Sequence, residues 1–175
     1  MIINISELLS TPGKSEYYEA PIEMDAFELN GDLYPFSKKE PVKLTITNTG
    51  DREISVEGSI EAVLAAPCDR CLKEVLVPFS LKVDKVIDLK KTDEDRINDL
   101  DETSYIDHSS LDVDRLVSDA LLIHFPMKIL CREDCKGICF KCGKDLNLGE
   151  CGCDRESLDP RMSAIRDIFK NFKEV

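Results

Sequence analysis

Six of the eight cysteines lie between Cys131 and Cys153, and no other feature of the chain restricts its fold as strongly. This stretch ends in two close pairs separated by a loop long enough to fold back, namely Cys139 with Cys142 and Cys151 with Cys153. Zn²⁺ accepts four thiolates in a tetrahedron at about 2.3 Å, which two facing turns can supply. The spacing therefore predicts a zinc site.

The same stretch contains a second pattern, Cys135-x-x-x-Cys139-x-x-Cys142. This is the spacing by which radical-SAM enzymes hold an iron–sulfur cluster. That motif belongs near the start of a large barrel, whereas only 33 residues follow Cys142 here. The position favours zinc over a radical enzyme.

The two remaining cysteines, Cys68 and Cys71, lie between two runs of alternating apolar and polar residues. The apolar positions are Ile54, Val56, Ile60, Ala62 and Leu64 before them, and Val75, Val77, Phe79, Leu81 and Val83 after them. Such alternation is typical of half-buried antiparallel strands. We therefore expect a long hairpin with the Cys-x-x-Cys at its tip.

A strand–turn–strand setting favours a metal site over a redox site. A redox Cys-x-x-Cys usually opens a helix, whose dipole lowers the thiol pKa. Arg70, between the two thiols, could stabilise a thiolate. A reactive dithiol and a pair of unliganded cysteines therefore remain alternatives.

Eight cysteines divide into two sets of four, which predicts two structural zinc ions. The local set is Cys139, Cys142, Cys151 and Cys153, and the long-range set is Cys68, Cys71, Cys131 and Cys135. The second set would brace distant parts of the chain, with a contribution on the order of 10 kcal/mol. One site with four spare thiols is also possible. All-thiolate sites have no open position for water, so we predict no metal catalysis.

Composition indicates a soluble protein of one domain, or one domain with a small appendage. The 175 residues carry a net charge of −12, with 13 Lys and Arg against 26 Asp and Glu in residues 1–126 and 10 against 9 in residues 127–175. Because phosphate contacts need basic side chains, this balance disfavours a free-standing RNA binder. We see no apolar run long enough to span a membrane and no secretory signal, so we expect a cytoplasmic protein. Because the cytoplasm is reducing, closely spaced cysteines are expected to bind metal there and not to form disulfides.

The remaining elements predict an α+β fold in which helices accompany an antiparallel sheet. Asn30-Gly31 predicts a tight turn between short strands, and LDVDRLVSDALLIHFP predicts a helix that packs on the sheet, beginning at Asp112 or Asp114. Residues 90–110 are expected to form an acidic, mobile loop, and a terminal amphipathic helix is expected after Asp159. We divide the chain into a sheet domain, 1–126, and a cysteine-rich region with the terminal helix, 127–175.

No constellation of catalytic residues is evident. His108 lies in the acidic loop and has no evident nucleophilic partner, and His124 lies on the apolar face of the predicted helix, where a core or boundary role is favoured over a ligand role. A phosphate-binding glycine loop, an EF-hand and a usable Ser-His-Asp set are not found. We therefore predict that the protein is not an enzyme and has no small-molecule substrate.

Three segments together resemble the YceD family, named for large ribosomal RNA subunit accumulation. They are Cys68-Asp69-Arg70-Cys71-Leu72, then PMKILCREDCKGICFKCGKDLN, then Asp159-Pro160-Arg161, and the resemblance covers roughly residues 60–172. The chain departs at Phe140, where the family commonly has proline. Some relatives lack much of the cysteine cluster, which implies that metal stabilises the protein and does not perform its task.

The resemblance implies a cytoplasmic bacterial protein that supports accumulation or maturation of large-subunit (23S-type) rRNA without known catalysis. Its expected partner is the precursor large ribosomal subunit, contacted through rRNA or through a ribosomal or processing protein. Two other hypotheses remain: a thiol redox protein or sensor that uses Cys68 and Cys71, and a zinc-ribbon adaptor between proteins.

Overall fold

A computed structural model of the protein describes residues 1–91, 105–107 and 109–153. Most of the predicted acidic loop, His108 and the predicted terminal helix lie outside these residues. The elements are β1 (Ile2–Asn4), α1 (Ser6–Leu9), β2 (Ser15–Ala20), β3 (Ala26–Leu29), β4 (Asp32–Lys39), β5 (Val42–Gly50), β6 (Glu53–Pro67), β7 (Glu74–Asp88), β8 (Ile106–Asp107), β9 (Ser110–Asp112) and α2 (Val113–His124).

The strands β2 to β7 form one antiparallel sheet built around β6. The strand β7 pairs with all 15 residues of β6, from Glu53 opposite Asp88 to Pro67 opposite Glu74. The other edge of β6 is shared, since β5 pairs with residues 53–59 and β4 pairs with residues 62–64. The outer strands β2 and β3 pair with β5 and β4, respectively. The predicted long hairpin is confirmed.

The alternation along β6 and β7 places one side of the sheet in the core. All five predicted apolar positions of β6 are buried, as are Phe79, Leu81 and Val83 of β7.

Gly58 lies opposite Leu44 of β5, and a β-carbon built on Gly58 would come within 2.3 Å of the Lys43 carbonyl oxygen. The two strands approach so closely there that a side chain at position 58 has no room.

The helix α2 begins where the sequence predicts and covers the core. The Asp112 carboxylate caps it by accepting hydrogen bonds from the backbone N–H groups of Asp114 and Arg115. Leu116, Val117 and Leu121 are buried. Directly after α2, the Phe125 ring packs against the rings of Phe27, Tyr34 and Phe79.

The environment of His124 differs from the prediction. Its side chain is exposed at the last turn of α2, with Nδ1 2.9 Å from the Ala120 carbonyl oxygen. The apolar face ends one turn earlier, at Leu121, so helical spacing placed His124 on that face wrongly.

Two smaller features complete the fold. The Asn30-Gly31 turn joins β3 and β4 as predicted, with φ angles of 54° and 90°. The strands β1, β9 and β8 form a separate three-stranded sheet.

Within the described ranges, no helix combines the length and the apolar character needed to cross a membrane.

Candidate metal centres

The tip of the β6–β7 hairpin holds Cys68 and Cys71 in a tight turn. The Cys68 N–H donates to the Lys73 carbonyl oxygen at 2.8 Å, and the Leu72 N–H donates to the Cys68 carbonyl oxygen at 2.9 Å. Leu72 closes the turn with a positive φ of 61°. The turn directs both thiols to the inside, where Cys68 and Cys71 are buried.

The segment after α2 docks on this tip through Asp69 and Arg70. The Asp69 backbone N–H donates to the Ile129 carbonyl oxygen at 2.9 Å, and the Asp69 carboxylate accepts from the Ile129 N–H at 2.7 Å. The Arg70 guanidinium donates to the Cys135 carbonyl oxygen at 2.6 Å. These contacts bring Cys131 and Cys135 beside the hairpin pair.

The four thiols of this tip cluster (Cys68, Cys71, Cys131 and Cys135) have the spacing of a tetrahedral metal site. Their sulfur atoms all lie within 4.8 Å of one another. The Cys68–Cys135 and Cys71–Cys131 sulfur distances are 3.9 and 3.6 Å. A tetrahedron with metal–sulfur bonds of about 2.3 Å has edges of about 3.8 Å. None of the eight cysteines forms a disulfide, and the two tip-cluster separations far exceed a disulfide bond of about 2.05 Å.

A loop cluster, formed by Cys139, Cys142, Cys151 and Cys153, has the same local geometry. Its sulfur atoms also lie within 4.8 Å of one another. The Gly143 N–H donates to the Cys139 carbonyl oxygen at 2.8 Å, as Leu72 does to Cys68, and the φ of Gly143 is 73°. The predicted grouping of the thiols into two sets of four is confirmed, and each set could hold a metal ion. Metal binding itself stays a prediction.

The hydrogen bonds to sulfur in the tip cluster favour thiolate at particular positions. Burial opposes ionisation of Cys68, but the backbone N–H groups of Cys131, Arg70 and Cys71 donate toward its sulfur and lower its pKa to about 6. Cys131 is exposed as a whole residue, but desolvation of its sulfur and hydrogen bonds with the neighbouring thiols raise its pKa to about 12. The cluster thus pairs an easily ionised sulfur with one that retains its proton.

The loop cluster repeats this pattern. The backbone N–H groups of Cys142 and Lys141 lower the pKa of Cys139 to about 6. Hydrogen bonds with the thiols of Cys142 and Cys151, together with burial, raise the pKa of Cys153 to about 12. A divalent cation binds such a set by displacing the remaining protons, which suits Zn²⁺ and other thiophilic metals.

Sequence reasoning missed the residues that join the two clusters. The Asn147 side-chain amide, in the loop between Cys142 and Cys151, lies 3.5 Å from the Cys135 sulfur of the tip cluster. The Lys73 ammonium pairs with the Asp145 carboxylate at 2.7 Å and lowers the Asp145 pKa to about 2. The sequence signal was limited to the Asp-x-Asn turn, which does not indicate what the amide contacts.

The equivalence of Leu72 and Gly143 leads to a stability prediction. A left-handed conformation costs a non-glycine residue about 1–2 kcal/mol, and glycine loses about 0.5–1 kcal/mol in chain entropy. Because the Leu72 side chain is 66% exposed, Leu72→Gly should stabilise the protein by about 0.5–1 kcal/mol in denaturant unfolding. Leu72→Ala keeps a β-carbon and should give no gain. Equal stability of the two variants would contradict this account.

The longest hairpin of the antiparallel sheet carries two cysteines of a four-cysteine set, and a cysteine-rich segment after a helix supplies the other two. The chain is therefore classed as an antiparallel-sheet protein with a four-cysteine cluster at a hairpin tip. Its residues 56–169 match the family "Large ribosomal RNA subunit accumulation protein YceD". The chain therefore belongs to the YceD family, as the resemblance indicated.

Relatives of this chain are distant in sequence. An uncharacterised protein of Mycobacterium tuberculosis is 27% identical over 116 residues, covering 66% of this chain and 56% of that protein. The chloroplastic "Large ribosomal RNA subunit accumulation protein YCED homolog 1" of Arabidopsis thaliana is 26% identical over 172 residues, covering 82% of this chain and 53% of that protein. The chain spans little more than half the length of these curated relatives, and no solved structure matches it.

Proposed function

We propose that the protein is a non-catalytic factor for ribosome biogenesis that supports accumulation or maturation of large-subunit rRNA. The observation that carries this proposal is the match of residues 56–169 to the YceD family. The name of the Arabidopsis relative describes large ribosomal RNA subunit accumulation for that protein. The partner in this proposal is the precursor large subunit in the cytoplasm of a bacterium.

In this proposal both cysteine clusters hold structural Zn²⁺. Four thiolates fill a tetrahedral coordination sphere, so the metal has no position at which to activate water. The tip cluster would brace a sheet domain, residues 1–126, against a cysteine-rich region, residues 127–175. Support for the tip cluster comes from the sulfur separations of 3.6 and 3.9 Å, which bracket the tetrahedral edge, and support for the loop cluster comes from its four sulfur atoms within 4.8 Å of one another.

Contact with the precursor subunit can be made through rRNA or through a protein bound to it. The net charge of −12 supports a protein-mediated contact, because an acidic surface repels phosphate. Five cations between Lys128 and Lys144 support a direct one, and they are Lys128, Arg132, Lys136, Lys141 and Lys144.

Depletion of the protein tests the role. We expect large-subunit rRNA to fall relative to small-subunit rRNA, and the protein to co-sediment with precursor large subunits. Normal rRNA ratios after depletion, together with no co-sedimentation, would disprove the proposal. Re-expression of the unaltered chain should restore the ratio and serves as the control.

The lowered pKa of Cys68 supports a second candidate, a thiol redox protein that uses Cys68 and Cys71. The two candidates predict opposite reactivity. A redox thiolate should be alkylated rapidly in the purified protein, whereas zinc-bound thiolates should react only after a chelator is added. Peptide mass spectrometry after a short iodoacetamide pulse distinguishes them.

A further inference from the structure

We infer that Asn147 is a positioning residue through which the loop cluster strengthens metal binding at the tip cluster. This inference rests on the proposed metal binding and adds that the two sites are coupled. It concerns the side chains and backbone groups that cross between the clusters.

Asn147 belongs to the loop that separates the two cysteine pairs of the loop cluster, yet its amide nitrogen donates to the Cys135 sulfur of the tip cluster at 3.5 Å. The other bonds of this side chain set its orientation. Its oxygen accepts from the Lys136 N–H and the Arg132 guanidinium, both at 2.8 Å, and its nitrogen also donates to the Asp145 carboxylate at 2.7 Å. The amide therefore presents its donor side to sulfur.

The backbone between the clusters is packed directly on the hairpin tip. The Ile138 N–H donates to the Arg70 carbonyl oxygen at 3.0 Å, and the Leu146 N–H donates to the Gly137 carbonyl oxygen at 2.9 Å. Gly137 has a φ of 78°, and a β-carbon there would lie 2.8 Å from the Arg70 carbonyl oxygen. The Lys73–Asp145 ion pair spans the same boundary. The loop that carries Asn147 thus lies on the tip.

Through these contacts, metal binding at one cluster affects metal binding at the other. A metal held by Cys139, Cys142, Cys151 and Cys153 fixes both ends of the loop, so the Asn147 donor reaches Cys135 already ordered. Hydrogen bonds from such outer residues typically change metal affinity by about 10- to 100-fold. Because coupling between binding sites is reciprocal, metal at the tip cluster must favour binding at the loop cluster by the same factor.

The zinc-loaded chain of 175 residues tests the coupling, and the measurement is the alkylation rate of Cys135 during a chelator challenge. Asn147→Ala should raise this rate about tenfold. The pair Cys151→Ser with Cys153→Ser, which removes the loop-cluster metal, should raise it by a similar factor. Leu148→Ala, in the same loop and with a side chain 79% exposed, is the matched control and should leave the rate unchanged.

The variant that combines all three substitutions separates coupling from a local structural role. If Asn147 acts through the loop cluster, the combined variant should react no faster than the faster of its parents. Multiplied effects, or an unchanged Cys135 rate in either parent, would overturn the inference while leaving metal binding intact. Failure of the unaltered protein to retain zinc in native mass spectrometry would overturn the metal proposal itself, and the coupling with it.

Discussion

Replacing Cys68 and Cys71 together with serine is expected to remove one zinc ion per chain and release the segment after α2 from the hairpin tip. A structural zinc contributes an apparent 10–16 kcal/mol or so in small peptides, which equals the whole stability of a typical domain. The sheet has a core of its own, so it should persist. Native mass spectrometry should show one zinc ion, and hydrogen exchange of residues 129–139 should accelerate by about a hundredfold or more.

The pair Cys139→Ser with Cys142→Ser is the matched control for the brace. It should also remove one zinc ion, but it leaves the tip cluster intact. In that cluster Cys71 and Cys131 are 60 positions apart in sequence. We expect residues 129–135 to stay more protected than in the Cys68 and Cys71 variant. Identical exchange patterns in the two variants would contradict a long-range brace at the hairpin tip.

Gly58→Val is expected to produce the largest loss of stability within the sheet. Its first side-chain carbon would lie 2.3 Å from the Lys43 carbonyl oxygen and 2.7 Å from Leu44 Cδ2, so β5 must move away from β6. Overpacking of this kind costs about 3 kcal/mol, which lowers the melting temperature by about 6–12 °C in a chain of this size. Calorimetry of the zinc-loaded protein measures the shift.

Ser59→Val provides the comparison for Gly58, because Ser59 is the next residue of β6 and already carries a β-carbon. Its stability should change by about 0.5 kcal/mol or less. Both variants should retain their zinc, since Gly58 lies about 30 Å along the strand from Cys68. Equal melting temperatures for the two variants would show that the close approach of β5 to β6 is unimportant.

The elements best predicted from sequence were those with a long local period or a specific turn residue. The alternation from Ile54 to Val83 located the hairpin, and Asp112 before an amphipathic run located the start of α2. Assigning Cys139, Cys142, Cys151 and Cys153 to a local set left Cys68 and Cys71 to meet Cys131 and Cys135, and the sulfur positions confirm this grouping. For the hairpin and α2 the information lies in neighbouring residues, whereas the tip cluster was predicted by elimination among distant cysteines.

The features that were missed depend on contacts between distant residues. The strand β1 has three residues and pairs with β9, so Ile3 lies opposite Leu111 without any local pattern to indicate it. The hydrogen bond from Asn147 to Cys135 joins the loop cluster to the tip cluster, and no local pattern indicates it. Leu72 was missed for a different reason: its positive φ is imposed by the local turn between Cys68 and Lys73, and leucine itself disfavours that conformation.

The 63 positions between Cys68 and Cys131 have a consequence during synthesis. A ribosome that adds about 5–20 residues per second needs about 3–13 s to produce the second half of the tip cluster after the first. For that interval the nascent chain carries Cys68 and Cys71 without the other two cysteines of the tip cluster. Oxidants are therefore expected to damage the protein chiefly while it is being translated, before the thiols from the two segments meet.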